Sequence, residues 1–191
     1  MKIILASGSP RRKELLEMFR PEHLHIIPAR GEETPHPELS PDKLVMELSR
    51  CKAAEVAALH AEADDVVIGA DTVVVLDNNV LGKPADAADA KRMLSALSGR
   101  SHTVFTGITV IRGGTVLSHA ERTEVHFRPL SEDEIDRYIA TNEPMDKAGS
   151  YGAQGYAALF VEKLEGDFFN VMGLPLCALG NLLKQLGVNL L

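Results

Sequence analysis

The spacing of apolar and polar positions switches between a strand-like and a helix-like period along the chain. Met1–Ala6, with its apolar run from Ile3 to Ala6, predicts a short buried strand. Ser7-Gly8-Ser9-Pro10 predicts a turn and Arg11–Phe19 a helix, with Ser9 as its N-cap, Pro10 at its first position and Leu15, Leu16, Met18 and Phe19 on its apolar face. Leu24–Ile27 reads as a second strand, and Pro28 to Ser40 as a loop. Ser40 and Pro41 open a long helix whose apolar positions are Leu44, Leu48, Cys51, Val56 and Leu59. Val66–Leu76 is extended and apolar, interrupted only by Gly69, Ala70, Asp71 and Thr72, and Asp77-Asn78-Asn79 ends it in a turn. Asp86 caps a helix to about Leu97.

The second half reads differently. Thr103–Ile111 and Thr115–Phe127 flank Gly113-Gly114, a hairpin signal. Ser131-x-x-Glu134 is a capping box for a helix to about Ala140. Asn142–Gly155 is a glycine-rich polar loop, Ala157–Leu164 and Phe168–Val171 read as strands around Glu165-Gly166, and Pro175 opens a last amphipathic helix over Leu176–Leu186. Alternating strands and helices followed by an antiparallel stretch predict an α/β fold with a mixed sheet. With neither an internal repeat nor a linker, residues 1–191 read as a single domain.

Composition narrows the function. The 191 residues carry 20 Lys and Arg against 27 Asp and Glu, so the net charge of −7 speaks against general polyanion binding. Trp is absent and aromatic residues are only 5%, thin for a base-stacking nucleic-acid surface. No apolar run suits a membrane span or a signal-peptide core, so a cytoplasmic protein is expected. Cys51 and Cys177 form no Cys-x-x-Cys pair and are expected to be buried free thiols. One local exception stands out: residues 1–13 hold Lys2, Arg11, Arg12 and Lys13 and no acid.

Four constellations could carry chemistry. Ser7-x-Ser9-Pro10-Arg11-Arg12 places hydroxyls and two guanidiniums at a helix N-terminus, a setting for phosphate oxygens or, equally, a solvated helix start. Asp71 interrupts an apolar run, where a carboxylate needs a partner, a hydrogen bond or a metal. It could ligate a metal or activate water, or be a turn residue between two strands. Gly69, two residues earlier, signals a bulge or a close backbone approach. Lys83, held between Gly82 and Pro84, could reach a phosphate, and Lys52 on the long helix adjoins its apolar face. Finally, Glu143-Pro144-x-Asp146-Lys147-Ala148-Gly149-Ser150-Tyr151-Gly152-Ala153-Gln154-Gly155 spaces glycines three apart, so backbone can approach a ligand while Gln154 offers both a donor and an acceptor to a base edge. A Walker A loop, a Gly-x-Gly fingerprint, paired zinc histidines and a Gly-x-Ser-x-Gly elbow are all missing.

Taken in order, Ile4-Leu5-Ala6-Ser7-Gly8-Ser9-Pro10-Arg11-Arg12, Gly69-Ala70-Asp71-Thr72-Val73, Gly82-Lys83-Pro84, Leu97-Ser98-Gly99-Arg100-Ser101-His102, Thr106-Gly107, Glu143 to Gly155 and Met172-Gly173-Leu174-Pro175 resemble the Maf-type nucleoside triphosphate pyrophosphatases nearly end to end. The resemblance implies a mixed twisted sheet with flanking helices, in two lobes around a nucleotide cleft like the inosine-triphosphate pyrophosphatases. It implies hydrolysis of a nucleoside triphosphate to monophosphate and pyrophosphate with a divalent cation, Mg²⁺ or Mn²⁺. By the same resemblance Asp71 is the catalytic acid and a metal ligand, Glu33 a second carboxylate at the metal, and Ser7, Arg12, Lys52 and Lys83 handle phosphate. Arg11, Thr72 and Gln154 are tied to substrate choice. Gly-Ala-Asp-Thr with Tyr-Gly-x-Gln-Gly resembles the branch acting on dTTP and UTP, with modified pyrimidine nucleotides as further substrates to consider. Ala153 stands where Ile is usual, which removes bulk beside Gln154. The resemblance also allows a homodimer, and an alternative role as a nucleotide-binding regulator of septum formation without turnover.

Overall fold

A computed structural model describes residues 1–31, 36 and 38–190. It is a mixed α/β structure with seven strands and six helices among the described residues. The strands are β1 (Ile3–Leu5), β2 (Leu24–Ile26), β3 (Val66–Leu76), β4 (Asn79–Leu81), β5 (Ser101–Arg112), β6 (Thr115–Phe127) and β7 (Val161–Glu165). The helices are α1 (Pro10–Glu17), α2 (Pro41–His60), α3 (Ala87–Leu97), α4 (Glu132–Ala140), α5 (Phe168–Met172) and α6 (Leu176–Gln185). The sheet runs β2-β1-β3-β5-β6-β7, with β4 added on β3. β1 pairs in parallel with both β2 and β3, whereas β4 on β3 and β7 on β6 are antiparallel.

The chain divides into two compact units, each assembled from separate stretches: residues 1–71, 106–121 and 173–191 form one, residues 72–105 and 122–172 the other. In the first, the continuous apolar runs of β1 and β3 suit parallel strands covered on both faces. Ile4, Ala6, Val67, Ala53 and Val56 close one core there. In the second, Val74, Leu94, Leu97, Val104, Val125, Phe127, Tyr138, Tyr151 and Phe160 form the main core.

Most helix starts follow the sequence. Ser9 accepts from the Arg12 amide, Asp86 from the Asp89 amide, and Ser131 with Glu134 completes the capping box. Three expectations are corrected. Phe168–Val171 is helical, not extended: the Asp167 carboxylate accepts from the Phe169 amide at 2.7 Å and starts a helical turn. The stretch from Ala157 begins as a 3₁₀ turn over Tyr156–Leu159, and the strand follows it. The turn after β3 is a two-residue hairpin, Asp77 and Asn78 both having positive φ, which pairs Leu76 with Asn79 and adds β4.

The buried face of α2 also differs from the expected one. Val45, Ser49, Ala53 and Val56 face inward, while Leu59 and Cys51 are exposed. Small residues are needed because the helix backbone lies directly on the strands. A Cβ at Gly69 would sit 2.2 Å from the Ser49 carbonyl oxygen, and one at Gly107 would sit 2.1 Å from that of Val45. Ser49 Oγ donates to the Met46 carbonyl and meets Thr109 Oγ1 at 2.8 Å, so its buried hydroxyl is satisfied. Cys177 is exposed as well, so neither thiol is a core residue.

Candidate active site

The close contact at Gly69 builds the centre of the site. Side chains two apart on a strand share a face, so Asp71 projects on the face where Gly69 receives α2. There it meets Lys52, the residue before Ala53. Lys52 Nζ donates to Asp71 Oδ1 at 2.5 Å, with both side chains largely buried at 22% and 13% exposure. The apolar run therefore hosts its carboxylate by pairing it, and Asp71 lies within one unbroken strand rather than at a turn.

The register of the parallel strands brings the N-terminal constellation to the same end of the sheet. Leu5 pairs with Ile68, and the Ala6 amide donates to the Ile68 carbonyl at 2.8 Å. Residues from Ser7 onward thus leave β1 at the end towards which β3 carries Asp71, the carboxyl end at which open α/β sheets take ligands. Ser7 is buried, and its Oγ accepts from the Ser9 amide at 3.2 Å and from Arg12 at 3.1 Å. Arg12 Nε donates to the Gly173 carbonyl at 2.8 Å. Gly173 has φ +102, a backbone state that favours glycine. Arg12 is thereby held in place rather than solvated. The Arg11 side chain, half-buried beside it, makes no hydrogen bond or ion pair with another described residue.

Thr72, Lys83 and Gln154 belong to the second unit. Thr72 is half-buried and, by strand alternation, faces away from Asp71. Lys83 is exposed on a loop fixed by the Gly149 amide, which donates to the Gly82 carbonyl at 3.0 Å, and by buried Pro84. Gln154 is exposed at the crown of the glycine-spaced loop. Tyr151, within that loop, is buried, and its hydroxyl meets His102 Nε2 at 2.8 Å. The two rings and Phe127 pack edge to face. Burial, with His126 as a smaller cause, pushes His102 down to about 4, and burial pushes the Tyr151 hydroxyl up.

Glu33 lies outside the described residues. Among the described residues no group of three His, Cys, Asp or Glu side chains could hold a metal ion. A lone carboxylate still fits one kind of metal. Hard divalent cations of the Mg²⁺ type bind through one or two carboxylates together with waters and substrate phosphates, without an all-protein cage.

Sequence reasoning missed two residues that shape the site. Glu143 stood in the quoted loop without a role, and Tyr138 gave no signal beyond a helical apolar position. Both bind the backbone around Gln154, as described below.

A family model described as Maf-like protein matches residues 2–186. A protein of Bacillus cytotoxicus named dTTP/UTP pyrophosphatase is 50% identical, the match covering 96% of this chain and 95% of that protein. One of the same name from Agathobacter rectalis is 50% identical, with 98% of each chain covered. Among solved structures, a nucleoside-triphosphatase / dITP/XTP pyrophosphatase of Mycobacterium abscessus aligns with 76% of this chain and 100% of its own at a TM-score of 0.41 and 17% identity. A family match over nearly the whole chain, joined by relatives sharing half its residues, places this protein in the Maf-like family.

Proposed function

We propose that this chain is a nucleoside triphosphate pyrophosphatase that splits dTTP and UTP into the monophosphate and pyrophosphate, residues 1–191 working as one domain. The names of its half-identical relatives support the substrate. The observation that carries the reaction is the Lys52–Asp71 pair at the end of β1 where Ser7 and Arg12 emerge.

Asp71 orients a water and takes its proton as the water oxygen bonds to the α-phosphorus. The bond from that phosphorus to the bridging oxygen breaks, and pyrophosphate leaves with the electron pair. Lys52 holds the carboxylate in its orientation. Arg11, Arg12 and Lys83 balance the charge on the phosphate oxygens, and Ser7 fixes the Arg12 guanidinium. Thr72 and Gln154 choose the base. Asp71, with Glu33, would hold a divalent cation, Mg²⁺ or Mn²⁺, which when bound supplies further positive charge to the phosphates. Among the described residues no helix is long and apolar enough to cross a membrane, in keeping with a cytoplasmic enzyme acting on free nucleotides, as a monomer or a homodimer.

The test is pyrophosphate release from a panel of nucleoside triphosphates with Mg²⁺ or Mn²⁺, with Asp71→Asn as control. Selective release from dTTP and UTP, lost in the variant, is expected. Release favouring another base would overturn the roles of Thr72 and Gln154. Nucleotide binding without any release would overturn the enzyme and leave a regulator.

A further inference from the structure

Gln154 makes no hydrogen bond or ion pair with another described residue and is exposed, so its place is set by the backbone on either side of it. That backbone is held by one carboxylate. On one side, the Gly152 amide donates to the Tyr138 hydroxyl at 3.1 Å, and that hydroxyl donates to Glu143 Oε1 at 2.9 Å. On the other, the Tyr156 amide donates to Glu143 Oε2 at 3.1 Å. Between them the Gly155 amide closes the turn on the Gly152 carbonyl at 2.9 Å. The carboxylate lies flat against this turn, since a Cβ at Gly155 would fall 2.3 Å from Oε2 and 2.4 Å from Oε1.

We infer that Glu143, with Tyr138 as its relay, is the positioning residue that fixes base selectivity: its two oxygens clamp both ends of the turn that presents Gln154. This rests on the reading of Gln154 as the residue that meets the base. The clamp needs two acceptors on one rigid group, because both the Tyr138 hydroxyl and the Tyr156 amide donate to it. A glutamine there supplies one acceptor and turns an N–H₂ towards a donor. Loss of either link lets the turn shift without touching the carboxylate and cations assigned to the phosphates. Its signature is a loss of discrimination rather than a loss of rate.

The experiment measures kcat and KM for dTTP, UTP, dCTP and dGTP in the wild type, Glu143→Gln, Tyr138→Phe, Gln154→Ala and the Glu143→Gln/Gln154→Ala double variant, each checked for an unchanged melting transition. Tyr138→Phe gives an independent reading should Glu143→Gln fold poorly. Roughly ten- to a hundredfold loss of kcat/KM is expected for the preferred nucleotides, carried by KM, with the poor substrates little changed. In the Gln154→Ala background Glu143→Gln should add almost nothing. Equal losses on every nucleotide, or losses that multiply in the double variant, would overturn the proposal. So would an intact preference in both Glu143→Gln and Tyr138→Phe while Gln154→Ala abolishes it, and the reading of Gln154 would then stand alone. The reverse pattern, preference lost in the clamp variants but kept in Gln154→Ala, would support the clamp and remove Gln154 as the base reader.

Discussion

Lys52 reaches Asp71 across a contact made possible by a missing side chain. The ammonium donates to Oδ1 at 2.5 Å because α2 rests on β3 at Gly69, two residues before the carboxylate. The pair is partly buried, so its loss should register in both stability and chemistry. Lys52→Met is expected to lower kcat/KM by about a hundredfold or more. It should cost about 1–2 kcal/mol of stability, between the values for exposed and buried pairs. Urea unfolding beside pyrophosphate release checks both, and an unaltered rate would remove Lys52 from the site.

The glycine itself makes a sharper prediction. Gly69→Ala would push a methyl to within 2.2 Å of the Ser49 carbonyl, and backbone cannot yield as a side-chain tip can. A destabilisation of about 3 kcal/mol or more is expected, together with loss of turnover as α2 lifts Lys52 away. Gly180→Ala is the contrast. It lies inside α6 with nothing within 4 Å of the added carbon, so it should stabilise by about 0.5–1 kcal/mol and leave the rate unchanged.

His102 predicts a pH dependence of folding. Its pKa falls from the ordinary 6.5 to about 4 through burial, and its Nδ1 has no hydrogen-bond partner among the described residues to take a second proton. Between these two values the unfolded chain binds a proton that the folded one refuses, so stability drops as pH falls from about 6.5 towards 4. The full span is about 3 kcal/mol. Glu47 and Glu134, each held down to about 2 mainly by an arginine hydrogen bond, lose their contribution only below about 4.5, so they do not mask the upper part of the window. Denaturant midpoints at pH 7 and pH 5 should differ in the wild type and differ less in His102→Gln.

Arg12 depends on a carbonyl far along the chain. Replacing Gly173 with Ala at φ +102 strains the backbone and turns the carbonyl away from Nε. KM for the nucleotide should rise roughly tenfold, the worth of one charge-assisted hydrogen bond, while Asp71 keeps its partner. Ser7→Ala, which removes another acceptor for Arg12, should act in the same direction.

The two cysteines should both react with a thiol reagent in the folded protein, since both are exposed. Cys51 should react slowly. Partial burial and a hydrogen bond to Glu47 keep its thiol above the ordinary range, and so short of thiolate. Reaction only after denaturation would contradict the placement of α2.

Much of this was legible from residue order alone. Ser9-Pro10, Asp86 and the Ser131–Glu134 box mark helix starts because each supplies a missing acceptor for a free amide. The face of α2 was not legible from apolarity. Cys51 and Leu59 are apolar yet outside, while Ser49 is polar yet inside, because nearness to Gly69 and Gly107 selects for size. Asp71 announced itself by its setting, but nothing local names Lys52, 19 positions earlier on another element, as its partner. Phe168–Val171 misled because aromatic and branched residues suit a strand, and the cap at Asp167 decided otherwise.

The division of the chain also sets the order in which the two units are completed in synthesis. Every residue of the second unit has been synthesised once residue 172 is made, whereas the first still waits for residues 173 onward. Leu174, Leu179 and Leu183, all fully buried, arrive in that late stretch. Arg12 is among the first residues synthesised, yet the carbonyl that steadies it comes 161 positions later. A chain ending short of Gly173 would carry the segment that presents Gln154 but lack the carbonyl that anchors the Arg12 guanidinium.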